Sequence, residues 1–264
     1  MSVRYWWVPN ILNQVSTPRA LFDSLFSDAA VSGRTLSRMH VFGAYSTSVL
    51  GLLPAQTAHY TTKWATFWQR LIPLLAQHRV KLALELAGPR GYNPGVTTCA
   101  DGPLLNGSLS ATADLTAIAA LEALGGTVDY ITMDGGLRRT INNGFWKSNG
   151  CNMSIVDSCR AVVSYMQTIH SSRPAIRIGL TESIVLWPYA GVAGYAVDAY
   201  PADQRPDFQT AFTELMSQIN AAGEVLDHLH YDSSYEYDQG LVTSPNSAAS
   251  RANDSPAIPL PMTR

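Results

Sequence analysis

Glu85, Asp134, Glu182 and Asp232 each close a short apolar run, in the segments KLALELAG, VDYITMDGG, IRIGLTES and LDHLHYD. They recur at steps of 49, 48 and 50 residues. An apolar run of strand length that ends in an acid and a polar loop is the pattern of a sheet of parallel strands, whose C-terminal ends all open on one face. Any one of these acids alone is as well explained as a helix cap or a loop hydrogen-bonder. Four of them at strand ends predict a shared acidic cleft, and with it acid and base chemistry at a bound substrate.

Two carboxyl groups in unlike environments are sufficient for glycosidic bond cleavage. One stays protonated to donate to the leaving oxygen, and the other stays ionised as nucleophile or to activate water. On this reading Glu182 is the first candidate, because a Thr-Glu-Ser end to an otherwise apolar strand has little structural reason to be acidic. Asp134, followed by Gly135 and Gly136, comes next, with Glu85 and Asp232 as partner or substrate-binding acids. Indoles stack on the apolar faces of sugar rings. Trp7, Trp146 and Trp187 lie at or just after strand ends, and His230, Tyr235, Arg90 and Arg138 fall in the same region, with Arg139 beside them. These are the expected substrate-binding residues, the arginines being suited either to an acidic sugar or to lowering the carboxyl pKa values.

The elements that must position these groups alternate. Strands are predicted at RYWWVPN (4–10), SRMHVFGAYS (37–46), KLALELAG (81–88), TVDYITMDGG, AIRIGLTES and EVLDHLHYDSS. Helices are predicted at 17–33, at 61–78 where Trp64, Phe67, Trp68, Leu71 and Leu75 share helical spacing, over SATADLTAIAALEALGG, from about Met153 to His170, and over DFQTAFTELMSQINAAG. A weak seventh strand lies in GVAGYAVDAY (191–200). This order predicts an α/β fold of one domain, a (β/α) TIM-type barrel over residues 1–240, incomplete or distorted with six strands. Its long loops lie at the strand C-terminal face. The Pro, Ser and Ala-rich stretch 241–264 reads as an extended tail. No glycine-rich phosphate turn follows the first strand, so no nucleotide cofactor, or any other, is expected.

Composition limits the partners. With 18 Lys and Arg against 20 Asp and Glu and only 14% charged residues, the chain has no basic stripe for a phosphate backbone, and nucleic acid is not an expected ligand. No apolar run reaches the roughly 18 residues of a bilayer span, so no membrane partner is expected either. The start MSVRYWWVPN has no signal-peptide pattern, while the polar, weakly charged surface points to an extracellular or periplasmic location. Composition leaves the oligomeric state open. Of the three cysteines, Cys99 and Cys151 lie in loops on one rim, where a bridge and two free thiols are equally compatible with the sequence; Cys159 falls on a helix.

The strand ends LALELAG, YITMDGG and IGLTES resemble those of the TIM-barrel glycoside hydrolases, in which acids at strand ends do the chemistry. Thr181 and Glu182 are similar to the nucleophile strand of the large retaining clan. The Asn-Glu pair that carries the acid/base there has no counterpart, since Leu84 precedes Glu85. The resemblance implies a carbohydrate substrate. Two other classes remain open. His228, His230 and Asp232 alternate along one strand and could chelate a metal, as in metal-dependent amidohydrolase-like hydrolases, although the glycosidase reading needs no metal. A barrel that binds carbohydrate without cleaving it would keep the same acids as hydrogen-bonding groups.

Overall fold

The computed structural model describes residues 4–7, 40–45, 68–69, 71–73, 75–76, 81–93, 95–141, 151–182, 187–188 and 206–231. Six strands make one sheet: β1 (Arg4–Trp7), β2 (His40–Tyr45), β3 (Lys81–Leu86), β4 (Tyr130–Asp134), β5 (Arg177–Glu182) and β6 (His228–Tyr231). Their order in the sheet is their order in the chain, and every pairing is parallel. β3 to β6 are the four strands whose side chains are described, and they carry the core and the site. Among the described residues are the helices α1 (Gly102–Glu122), α2 (Arg138–Ile141), α3 (Ile155–Ser172) and α4 (Phe208–Ala221), and residues 68–69, 71–73 and 75–76 are helical as well. The weak seventh strand, the helix at 17–33 and the tail all fall outside the described residues.

Among the described residues the expected barrel does not close. β1 pairs only with β2 and β6 only with β5, so among the described residues the sheet is open, with two edges. Closure requires that strand number, tilt and stagger together bring the last strand against the first. An alternating strand and helix pattern specifies parallel pairing and right-handed crossovers, which open and closed sheets share. The missing glycine-rich turn bears on nucleotide binding and says nothing about closure.

Because side chains alternate across a strand, the register sorts this sheet into two unlike faces. On one, Leu82, Leu84 and Leu86 of β3, Ile131 and Met133 of β4, and Ile178 and Leu180 of β5 are buried in a single core. Ile118 and Leu121 of α1, Val162, Tyr165, Met166 and Ile169 of α3, and Leu215 and Ile219 of α4 complete it. α1 packs on α3 and α3 on α4. Capping fixes where the last two begin: Ser154 Oγ accepts from the Asp157 amide at 3.1 Å, and Asp207 Oδ1 accepts from the Thr210 amide at 3.1 Å.

α1 starts at Gly102, eight residues before its predicted start at Ser110. Pro103 sits in its first turn, where a missing N–H costs nothing. The side-chain amide of Asn106 donates back to the Gly91 carbonyl from inside the helix. A glycine, asparagine and serine cluster that reads as loop is therefore a helix start anchored to the loop before it. By length and hydropathy α1 could also cross a bilayer; its buried residues, Ile118 and Leu121 among them, face the core.

Candidate active site

The other face of the sheet is polar. Ala83 and Glu85 of β3, Tyr130, Thr132 and Asp134 of β4, Arg177, Gly179 and Thr181 of β5, and His228 and His230 of β6 share its parity. Two rows cross it toward the strand C-termini: Glu85, Thr132, Gly179 and His228, then Asp134, Thr181 and His230. Thr132 Oγ1 and His228 Nε2 are 2.8 Å apart although β5 runs between their strands. Gly179 makes that reach available: a Cβ there would stand 2.1 Å from His228 Nε2. Burial, with the neighbouring His230 and Arg177 charges, lowers the His228 pKa to about 4 against the attraction of Asp227, so the ring is neutral at physiological pH.

Asp134 closes β4 and is buried, and Arg139 Nη2 donates to its Oδ2. Glu85 closes the facing side of β3, also buried. Both act electrostatically on the Arg90 guanidinium, which lies in the loop after β3 and whose pKa is lowered to about 10, by burial first and then by Arg139. Asp134, Glu85, Arg90 and Arg139 are thus brought together. Arg138, buried, stands beside Gly135 together with Arg139.

Glu182 is placed differently. It continues the parity of Ile178 and Leu180, on the core face, and is fully buried. Its Oε1 accepts from the backbone amides of Leu137 (3.0 Å) and Arg138 (3.2 Å), and its Oε2 accepts from Trp187 Nε1 at 3.2 Å. Burial raises its pKa, against the lowering effects of the Arg138 charge and these three donors. Trp187 is itself buried, edge-on to Phe208 at 5.6 Å between ring centroids, with no face left for a sugar. Glu182 therefore ties the β4–α2 turn to the segment after β5. In Glu182→Gln a single oxygen must serve both amides while the new NH2 group meets the indole N–H, donor against donor. We expect a loss of about 1–3 kcal/mol in denaturant unfolding. Unchanged stability with abolished turnover would instead make Glu182 a reacting group.

His230 is half-buried on β6 opposite Thr181. Trp7 is described in backbone only, at the end of β1. Asp232, Trp146 and Tyr235 lie outside the described residues. Among the described residues no group of three His, Cys, Asp or Glu side chains is arranged to hold a metal ion. Cys99 and Cys151 are joined by a disulfide, and Cys159 is buried on α3.

One acid of the cluster carries no strand-end signal. Asp114, in the middle of α1, is buried, and its Oδ2 accepts from Tyr165 Oη at 2.9 Å and from the Gly88 amide at 3.2 Å. A lone carboxylate within ATADLTAIAAL was the available clue. Burial pushes its pKa up to about 6, against both hydrogen bonds and the Arg90 charge. A carboxyl whose folded pKa is raised stabilises the protein below its unfolded value, and this contribution is lost as pH rises through the folded value. Here the window runs from 3.8 to about 6. Asp114→Asn keeps an acceptor for both donors without the charge. We expect the variant to gain about 3 kcal/mol on the wild type between pH 4 and pH 7 in paired denaturation curves. Because the lowered His228 pKa works with the opposite sign over about 4 to 6.5, the variant should also gain stability with rising pH, a slope that Asp114 offsets in the wild type. Parallel curves for the two proteins would contradict the Asp114 assignment, and a variant curve that stays flat over this range would contradict that of His228.

No family model and no curated protein sequence matches the chain. Solved structures similar to it include the cellobiohydrolase Cel6A of Humicola insolens, with a TM-score of 0.46 and 13% identity over 87% of this chain and 60% of that one. The C-terminal domain of ChiA of Legionella pneumophila gives 0.40 and 18%, over 86% of this chain and 56% of that one. The 3-keto-D-glucoside 4-epimerase YcjR of E. coli gives 0.33 and 12%, over 94% of both chains. The chain spans less than two thirds of the first two. A cellulose-cleaving enzyme and a sugar epimerase are thus among the proteins that it is similar to.

Proposed function

We propose that the chain is a carbohydrate-active enzyme, a glycoside hydrolase whose reacting carboxyl groups are Asp134 and Glu85. The observation that carries this reading is their shared placement: both stand at the C-terminal ends of neighbouring strands, and both act on one guanidinium, that of Arg90. Glu85 pairs in register with Thr132, two residues before Asp134. Strands about 4.8 Å apart with a rise of about 3.3 Å per residue put the two Cα atoms about 8 Å from each other. Both side chains leave the same face of the sheet, so their carboxyl groups can stand within the roughly 6.5–9.5 Å that a single displacement needs for its water molecule.

In this scheme Glu85 gives its proton to the leaving glycosidic oxygen while Asp134, oriented by Arg139, takes one from the attacking water. Thr132, Thr181, His228 and His230 line the same face and offer hydrogen bonds to sugar hydroxyls. Glu182 and Trp187 act through the β4–α2 turn and position Asp134. The disulfide fits an oxidising compartment, in line with an extracellular or periplasmic protein.

The test is release of reducing ends from a panel of neutral and acidic polysaccharides, with and without EDTA, with the anomer of the first product followed by NMR. Chelator-resistant release of an inverted product, lost in Asp134→Asn and Glu85→Gln, supports the proposal. Binding without cleavage across the panel would make the chain a carbohydrate-binding protein. EDTA-sensitive cleavage would move the chemistry to the histidines of β6.

A further inference from the structure

Arg90, Arg138 and Arg139 converge around the loops that follow β3 and β4. A Cβ on Gly135 would stand 3.0 Å from Arg138 Nη2 and 3.2 Å from Arg139 Nε, so two of the guanidinium groups flank that residue closely. The third, Arg90, senses both Arg139 and Asp134. Guanidinium donors are seldom buried without acceptors, because each lost hydrogen bond to a charged group is costly. Yet Nε and Nη2 of Arg90 and Nε and Nη1 of Arg139 are buried with no partner among the described residues. Of the donors on these two side chains, Arg139 Nη2 is committed, to Asp134.

Arg90 is also acted on by the acids Asp134, Asp114 and Glu85. Arg139 and Asp134 keep 13% and 12% of their side-chain surface exposed, and Arg90 is half-buried. The cluster therefore has an open edge, while the uncommitted nitrogens lie below it. An acceptor that satisfies them must enter the cluster rather than rest on its surface.

We infer that Arg90 and Arg139 form the seat for an oxyanion carried by the saccharide, the carboxylate of a uronic acid residue, so that the substrate class is an acidic polysaccharide. A planar carboxylate matches the guanidinium fork with two parallel hydrogen bonds, which a neutral hydroxymethyl group cannot make. The seat borders Asp134, so the uronate lies in or next to the sugar whose bond is cleaved. This inference rests on the proposed glycosidase reading for the word substrate, but not for binding.

The test therefore measures binding, by calorimetry, to trisaccharides of galacturonate, mannuronate or glucuronate, with neutral cellotriose and inorganic sulfate as controls. At least one uronate should bind ten-fold or more tighter than cellotriose, with sulfate competing. Arg90→Met and Arg90→Lys should each weaken it about 10- to 100-fold, the lysine because it keeps the charge and loses the fork. Neither variant should lower the thermal midpoint of the ligand-free protein, since the donors removed have no partner in it. Cellotriose binding as tightly as every uronate, no binding of any uronate, or full uronate affinity in Arg90→Met would overturn the inference. Uronate binding lost in the variants without cleavage in the wild type would refute the hydrolase reading and leave this one standing.

Discussion

Asp134→Asn is expected to lower kcat on a cleaved saccharide by about 10²- to 10⁴-fold, the range of a positioned acid or base. The substituted side chain keeps the shape and the acceptor oxygen that Arg139 uses, so the loop after β4 should keep its place. What it loses is the capacity to take a proton or attack a carbon. On the proposed reading KM should change little, because the polar groups of β4 to β6 and the arginines are untouched. Stability should fall by about 1–3 kcal/mol, since the largely buried Arg139 guanidinium loses its charged partner and keeps a neutral acceptor. The decisive comparison is with Glu182→Gln, which is expected to unfold more readily yet retain turnover wherever it is folded. If Glu182→Gln abolishes kcat at full stability while Asp134→Asn remains active, the two acids exchange roles and the reacting face is the core side of the β5 end.

That exchange turns on strand parity. In IRIGLTES, Ile176, Ile178 and Leu180 alternate with Arg177, Gly179 and Thr181, so the period of two puts Glu182 on the apolar face, which a reading of the run as uniformly apolar hides. Its parity with Ile178 and Leu180 places it among the core residues, and the burial cost is offset by donors from Leu137, Arg138 and Trp187. None of these is near it in the sequence except Trp187. The positions of β3, β4 and β5 were legible because an apolar run, then an acid, then glycine or a polar loop leaves one reading for each segment. The start of α1 was not, because Pro103, Asn106 and Gly107 carry loop signals that the contact of Asn106 with Gly91 overrides. Asp114 was overlooked for a related reason: its partners, Gly88 and Tyr165, stand 26 and 51 residues away. Closure of the sheet is further still from the sequence, since it depends on tilt and stagger summed over all strands.

Removal of the Cys99–Cys151 bridge is expected to cost about 4 kcal/mol. Its ends are 52 residues apart, and the loop-closure entropy that a cross-link of this span withdraws from the unfolded chain has that size. For a domain of this length the thermal midpoint should fall by about 8–16 °C. The closed loop contains α1, β4 and α2, hence Asp114, Asp134 and the Arg138–Arg139 pair, and Arg90 lies just before it. The bridge holds the loop after β3 against the segment entering α3, so its loss should loosen Arg90 relative to Asp134. The catalytic penalty should then appear in KM before kcat, at temperatures where the protein is still folded. Cys159 supplies an internal control: buried on α3, with burial and the Glu214 charge pushing its thiol pKa up to about 12, it resists alkylation in the native state. The native protein should therefore show no reactive thiol, mild reduction should expose two, and midpoint and affinity should fall together with their appearance. A double Cys99→Ser and Cys151→Ser variant that melts within about 2 °C of the wild type would mean that α1 and β4 are held by the core alone.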